Sequence, residues 1–277
     1  MSRIRGALRR WRFGAATLLG AKRGFFIPYR HAAAVEPAGY PALEPLFAAA
    51  EPRFSAVLAA IESHADDLRR IASGKRPARF TQDWFPRLDG AATYAIVRRE
   101  RPARIVEIGS GHSTRFLAQA VSDGALATEI VCIDPAPRAR IAQLAVRHVP
   151  VLLQDADPAL FAALGAGDVL FVDSSHIAMP GTDVDRLFLE VLPRLPAGVL
   201  VHVHDVFLPD PYPPEWAWRG YNEQLLVGAL IAGGGYELVW SSRWVVTRMR
   251  DEAAQGVLGE LPLLPGAFET SLWLRKR

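Results

Sequence analysis

Arg104-Ile105-Val106-Glu107-Ile108-Gly109-Ser110-Gly111-His112-Ser113-Thr114 joins an apolar run to a glycine turn and then to the first residues of a helical pattern. Glycines at a strand-to-helix turn let a ligand approach the backbone, and the N–H groups of the helix start, near Ser113, point at it. A second apolar run, Glu129–Ile133, ends in Asp134, 25 positions after Gly109. A carboxylate at that spacing is expected to bind the ribose of a nucleotide-like ligand. Gly109, Ser110, Gly111, Ser113 and Asp134 therefore form a candidate site for a nucleoside-bearing molecule.

Outward from this turn, short β-branched runs alternate with helical segments, as in βαβ units of a parallel sheet. The strands read are Arg104–Ile108, Glu129–Ile133, Val149–Leu153, Val169–Val172, Val199–His204, Tyr236–Ser241 and Ser271–Leu274. Helices are expected over Ser113–Val121, Arg138–Arg147, Pro158–Leu164, Asp183–Leu192 and Tyr221–Ala232. Seven strands make an α/β protein with a Rossmann-like, doubly wound sheet. Ahead of it, Pro41 to Ser73 and Leu88–Glu100 read as helices of a preface. Between them Phe80-Thr81-Gln82-Asp83-Trp84-Phe85 is an aromatic loop, fit either to close over a site or to anchor the preface on the core.

Ligands of open α/β sheets lie beyond the carboxyl ends of the strands. The fourth strand ends in Asp173-Ser174-Ser175-His176 and the fifth in His202-Val203-His204-Asp205. Topology brings Asp173, His176, His204 and Asp205 to one crevice, with His202 deeper and structural. Imidazole and carboxylates there suit proton transfer, with His176 as the base, and also suit a divalent ion held by Asp173, His204 and Asp205. The loop from Phe207 through Tyr221 is stiffened by four prolines and offers Tyr212, Trp216 and Trp218 for a lid or acceptor pocket.

The chain of 277 residues carries net +3, yet residues 1–30 hold seven Arg and Lys22 with no acid, which is +8 and leaves −5 for the rest. In this stretch Ile4, Leu8, Trp11, Ala15 and Leu18 recur at helical spacing, with Arg5, Arg9, Arg10 and Arg12 on the other side. This basic amphipathic arm is expected either to touch an anionic membrane through residues 1–24 or to pack on its own domain. An acidic body argues against nucleic acid as partner. The single Cys132 allows no intrachain disulfide, and Phe13 to Ala21 is about half of the roughly 20 residues a membrane span needs. The expected location is cytoplasmic, with peripheral membrane contact open, as is a homo-oligomer.

The segment Glu107-Ile108-Gly109-Ser110-Gly111 resembles the first motif of class I S-adenosylmethionine-dependent methyltransferases. Together with Cys132-Ile133-Asp134-Pro135, Val172-Asp173-Ser174-Ser175-His176, Val201-His202-Val203-His204-Asp205 and Tyr221-Asn222-Glu223-Gln224, it is similar to the bacterial group that includes sugar and macrolide O-methyltransferases. The resemblance covers roughly Arg101 to Ser242. It implies that Glu107 helps bind the methionine end of S-adenosyl-L-methionine, that Asp134 binds the ribose and that Asp155 reaches the adenine. It implies further that Asp173 and His176 supply a ligand for Mg²⁺ or another divalent cation and the general base. Those relatives carry paired acids after the fifth strand, where this chain has His204-Asp205.

The resulting expectation is an arm over 1–40, a helical preface or cap over 41–100 and a cofactor-binding domain over 101–277. Its activity would be methyl transfer to a hydroxyl of a small molecule, sugar or glycan. The absence of an Asn-Pro-Pro-Tyr-like segment after the fourth strand argues against nucleic-acid bases as acceptors. Two other readings stay open. One is an NAD-dependent oxidoreductase, although Thr114 stands where the dinucleotide fingerprint needs glycine; the other is a membrane-associated binding protein with an inert site.

Overall fold

A computed structural model describes residues 2–20, 24, 25 and 27–277. Met1 and Lys22 of the basic arm lie outside them. Seven strands, β1 (Arg104–Ile108), β2 (Glu129–Ile133), β3 (Arg147–Val149), β4 (Val169–Val172), β5 (Leu200–Val203), β6 (Tyr236–Ser241) and β7 (Leu272–Lys276), form one sheet in the order β3-β2-β1-β4-β5-β7-β6. All neighbours are parallel except β7, which runs antiparallel to β5 and β6. This is a Rossmann-like sheet, with the antiparallel last strand that the resemblance to class I methyltransferases implies. Strands β1, β2 and β4 are buried along almost their whole length because apolar residues occupy successive positions, as a sheet covered on both faces requires.

Two compact units divide the chain, residues 39–211 with 221–277, and residues 1–38 with 212–220. In the smaller unit α1 (Ser2–Leu18) is the one long helix. Ile4, Arg5, Arg9 and Arg10 have side chains outside the described set, so their expected placement on that helix goes no further. Tyr212, Trp216 and Trp218, expected to line an acceptor pocket, belong to this unit, where Arg219 stacks on Trp216 at 3.9 Å.

In the larger unit the preface is α2 (Glu51–Ser63), α3 (Ala65–Ala72) and α4 (Arg87–Glu100), and α4 is the most deeply buried of them. The aromatic loop anchors it. Phe80 and Phe85 are buried against Phe116, and Phe85 also reaches Phe171, while the Gln82 side chain closes the loop on the backbone N–H groups of Trp84 and Phe85.

Helix α5 (His112–Asp123) follows the glycine turn and α6 (Glu223–Ala232) follows the long loop after β5. The helix expected over Arg138–Arg147 does not form. Only Ile141 of that stretch is buried, with Leu144 and Val146 half-buried against the core, and helical propensity with so little packing is marginal. Strand β3 accordingly starts at Arg147 and stops before Pro150, which cannot donate to a ladder. Asp183 to Leu192 is interrupted by a π-helical turn at Leu187–Val191.

Candidate active site

The glycine turn is required where β1 and β4 end together. Gly109 has φ of 74°, and a Cβ there would collide with the backbone oxygen of Asp173. The turn opens on a cavity of about 460 Å³ lined by Gly109, Ser110, Asp134, Gln154, Asp173 and Asp183, among others. A volume of this order suits a small organic ligand.

The expected cofactor residues divide into those that reach this cavity and those that build it. Asp134 lines it, and its carboxylate accepts from the Ser110 N–H at 2.7 Å, the Ser110 hydroxyl at 2.9 Å and the Ala136 N–H at 2.7 Å. Glu107 does not: it is fully buried behind the turn and accepts from the hydroxyls of Ser113 at 2.7 Å and Thr114 at 2.6 Å and from the Cys132 thiol. Burial pushes its carboxyl up to about 7 against the opposing pull of those donors. Thr114 in turn accepts the Gly111 N–H at 2.9 Å, so the residue that breaks the dinucleotide fingerprint ties the turn to Glu107. Ser113 and Gly111 likewise shape the turn without lining the cavity.

Asp155 is exposed and outside the lining; its neighbour Gln154 is inside it. The Gln154 amide nitrogen donates to the Gly181 carbonyl at 2.8 Å, leaving its buried Oε1 without a partner in the protein. A buried acceptor without a partner, on a residue that lines a cavity, marks a position where a donor is missing. With Leu152 and Leu153 as apolar walls, it fits the adenine end of a nucleoside, and Asp134 fits the ribose.

Beyond the cavity's inner edge lies a buried set of imidazoles and carboxyls. His176 Nε2 stands 3.4 Å from Asp173 Oδ1 and 3.4 Å from Asp205 Oδ2, and its Nδ1 lies 2.9 Å from Glu223 Oε2. His204 Nδ1 is 3.4 Å from Asp205 Oδ1 and 3.7 Å from Asp173 Oδ1, and its Nε2 is 3.3 Å from Asp89 Oδ2. Burial alone would lower both histidines. It is outweighed at His176 by Asp173, Glu223 and Asp205 and at His204 by Asp205, Asp173 and Asp89, so both stand well above the usual range. Asp173 is held well below the carboxylate range, since the two imidazoles outweigh its burial. His202 differs: fully buried, stacked 3.6 Å from Phe171 and bonded to Ser271, it is held neutral by burial.

Backbone conformation at the two strand ends is unusual for the residues present. His176 has φ of 61° and Asp205 of 56°, left-handed values that cost a non-glycine residue about 1 kcal/mol or more. The contacts around them hold this strain. The Asn222 N–H donates to the His176 carbonyl and the Asn222 side chain accepts from the Ala178 N–H, stitching the start of α6 to the loop after β4. Asp89 is fixed by the N–H groups of Thr270 and Ser271.

Asp173, His176, His204 and Asp205 thus meet as the strand ends imply, and Asp89 and Glu223 join them from α4 and α6. Among these, Asp173 lines the cavity, with 22% of its side chain exposed, while His176 at 1% stands behind it. The set does not fit Mg²⁺. That ion takes oxygen ligands in octahedral array, whereas the oxygens of Asp173 and Asp205 face imidazole nitrogens. Among the described residues no group of three or more His, Cys, Asp and Glu is arranged to hold a metal ion.

The family model of a methyltransferase domain matches residues 106–206, from β1 to the turn after β5. Residues 106–206 thus match a methyltransferase domain, on the sheet topology that the class I resemblance implies. The glycine turn, Asp134 and the Asp173–His176 pair all fall inside the matched segment. No curated protein matches the chain. Among solved structures it is similar to the SAH-bound methyltransferase PaMTH1 of Podospora anserina, at 19% identity and TM-score 0.44, covering 92% of this chain and 99% of that one. It is also similar to the plantazolicin methyltransferase BpumL, at 13% identity and TM-score 0.41 over 82% of this chain and 99% of that one. A putative O-methyltransferase from Klebsiella pneumoniae shares 17% identity at TM-score 0.36, over 71% and 90%.

Proposed function

We propose that this domain moves a methyl group from S-adenosylmethionine to a hydroxyl oxygen of a small molecule, sugar or glycan, with Asp173 and His176 handling the hydroxyl proton. The observation that carries the reading is the carboxylate of Asp173 on the cavity wall backed at 3.4 Å by the imidazole of His176. The sulfonium of the bound cofactor supplies a methyl group already activated for attack, so the protein's task is alignment and proton removal.

Asp173 orients the acceptor hydroxyl through a hydrogen bond to its carboxylate. The proton then goes to His176 Nε2 as the oxygen–methyl bond forms and the methyl–sulfur bond breaks. This requires the neutral imidazole. Because its carboxylate partners hold His176 in the charged form, the reactive form grows in as the pH rises through that raised value. Glu223 acts through His176: it fixes the ring and sets how firmly the ring keeps its proton, which makes it a positioning residue. No metal enters this route.

The test incubates the protein with labelled S-adenosylmethionine and pools of hydroxylated metabolites and glycans, and identifies the methylated product by mass spectrometry. An O-methyl product that is lost in the His176→Gln protein and unaffected by EDTA supports the reading. An N-methyl product, or turnover lost in EDTA and restored by a divalent ion, overturns the corresponding part.

A further inference from the structure

None of the residues assigned above to proton transfer or to the cofactor cavity belongs to the smaller unit, residues 1–38 with 212–220. Its 47 residues carry +7, whereas the other 230 residues carry −4. Among the described residues, 10 of the 17 large apolar side chains that stand exposed belong to it, although it is about a sixth of the chain. Exposed apolar groups on a body of ordinary charge are common and mean little. Here they are concentrated, and they coincide with the one strongly positive part of the molecule.

Helix α1 gives the coincidence a geometry. Leu8, Trp11, Ala15 and Leu18 follow one another at steps of three and four, so they share one side of the helix, and Leu8, Trp11 and Leu18 are 69%, 78% and 69% exposed. Arg12 lies outside that stripe, and the helix contains no acidic residue. Exposed leucine and tryptophan on one face, with arginine elsewhere and no carboxylate, is the pattern of a helix that lies in a membrane interface. Tryptophan prefers the headgroup level, and arginine is drawn to an anionic leaflet. No described helix is long and apolar enough to cross a membrane. A nucleic-acid strand would satisfy the charge and leave the leucines in water; a neutral protein groove would bury the leucines and leave the charge unanswered. An anionic lipid surface answers both.

We infer that α1 docks this methyltransferase on anionic lipid membranes, its Leu8–Trp11–Leu18 face entering the interface and its arginines meeting the headgroups. Flotation of the full chain with phosphatidylserine-containing vesicles, beside phosphatidylcholine vesicles, tests this at low and high salt. Binding is expected to the anionic vesicles, about tenfold or more weaker to the neutral ones, and reduced by salt. The Leu8→Asp/Trp11→Asp double variant is expected to lose vesicle binding by a similar factor while retaining the thermal transition of the body. Arg9→Glu/Arg12→Glu is expected to do the same and to abolish the salt dependence. No binding of the intact chain to anionic vesicles, equal binding to both vesicle types, or unchanged binding by the Leu8→Asp/Trp11→Asp protein would each overturn the inference. So would a dimer in sedimentation that the same variant dissolves, with no vesicle binding, since the face would then belong to a second copy of the chain. None of these readouts requires methyl transfer, so the inference and the proposed reaction fail separately.

Discussion

The carboxylate of Glu223 lies 2.9 Å from Nδ1 of His176, and both side chains are 1% exposed. A carboxylate this close in a buried place fixes the ring and favours its charged form. Replacing Glu223 by Gln keeps the shape and removes the charge, so His176 will release its proton at lower pH. The rising limb of the rate profile, along which the neutral base accumulates, is expected to move down by about one pH unit or more. Glu223→Asp should restore part of the original position. If Glu223 served packing alone, the limb would stay where it is while the rate fell uniformly. The same pair contributes stability that is complete below the unfolded histidine value of about 6.5 and is lost as pH rises through the raised folded value.

His176 itself tests the proton route. The His176→Gln protein is expected to lose about 10²- to 10⁴-fold in turnover, the usual contribution of a general base. Its affinity for S-adenosylhomocysteine, measured by calorimetry, should be little changed, because His176 is not in the cavity lining. A comparable loss of affinity would mean that the substitution has collapsed the strand ends and that the rate says nothing of proton transfer.

How far the sequence foretold this arrangement depends on where each residue comes from. Strands β1, β2, β4 and β6 end where the reading put them, because apolar runs bounded by Gly, Pro or Asp signal a buried strand locally. Strand β3 escaped: it is three residues long and little buried, so burial left no imprint on its composition. Asp173, His176, His204 and Asp205 were legible because strand ends face the ligand in any open α/β sheet. Glu223 and Asp89 were not. They sit 47 and 115 positions from the histidines they hold, on helices whose placement is decided by packing. Tyr221-Asn222-Glu223-Gln224 carried a family resemblance without a role, and α4 read as structural. Glu107 stands outside the cavity lining, which strand periodicity does not foretell: it says which face a side chain takes, not whether the following turn leaves that face open.

At the far end of the cavity the choice lies between neighbours. Gln154 lines the cavity and has a buried Oε1 without a hydrogen-bond partner in the protein, whereas Asp155 is exposed and outside the lining. Gln154→Leu is expected to weaken S-adenosylhomocysteine binding by about tenfold, the worth of one ordinary hydrogen bond made in a buried place. Asp155→Ala should leave binding within about twofold. The opposite order in a titration of the two variants would return the adenine contact to Asp155.

Glu107 links the turn to stability through pH. Its folded value, pushed up to about 7 from 4.5, means that the folded state binds a proton the unfolded state releases between those values. Stability from this group is therefore full at low pH, falls as pH rises through that window, and levels off above about 7. A shift of this size corresponds to about 3 kcal/mol between the two plateaus. Glu107→Gln cannot titrate, so the fall in unfolding free energy between about pH 5 and pH 8 should be smaller in the variant than in the natural chain by that order. Below the window the variant should be the less stable protein, because its amide NH₂ meets a hydroxyl donor from Ser113 or Thr114. Above it the two should converge, since the natural chain then carries the cost of a buried charge. Denaturant titrations at a series of pH values measure both slopes. Parallel curves would mean that Glu107 is ionised throughout, stabilised by Ser113, Thr114 and Cys132 beyond what burial takes away.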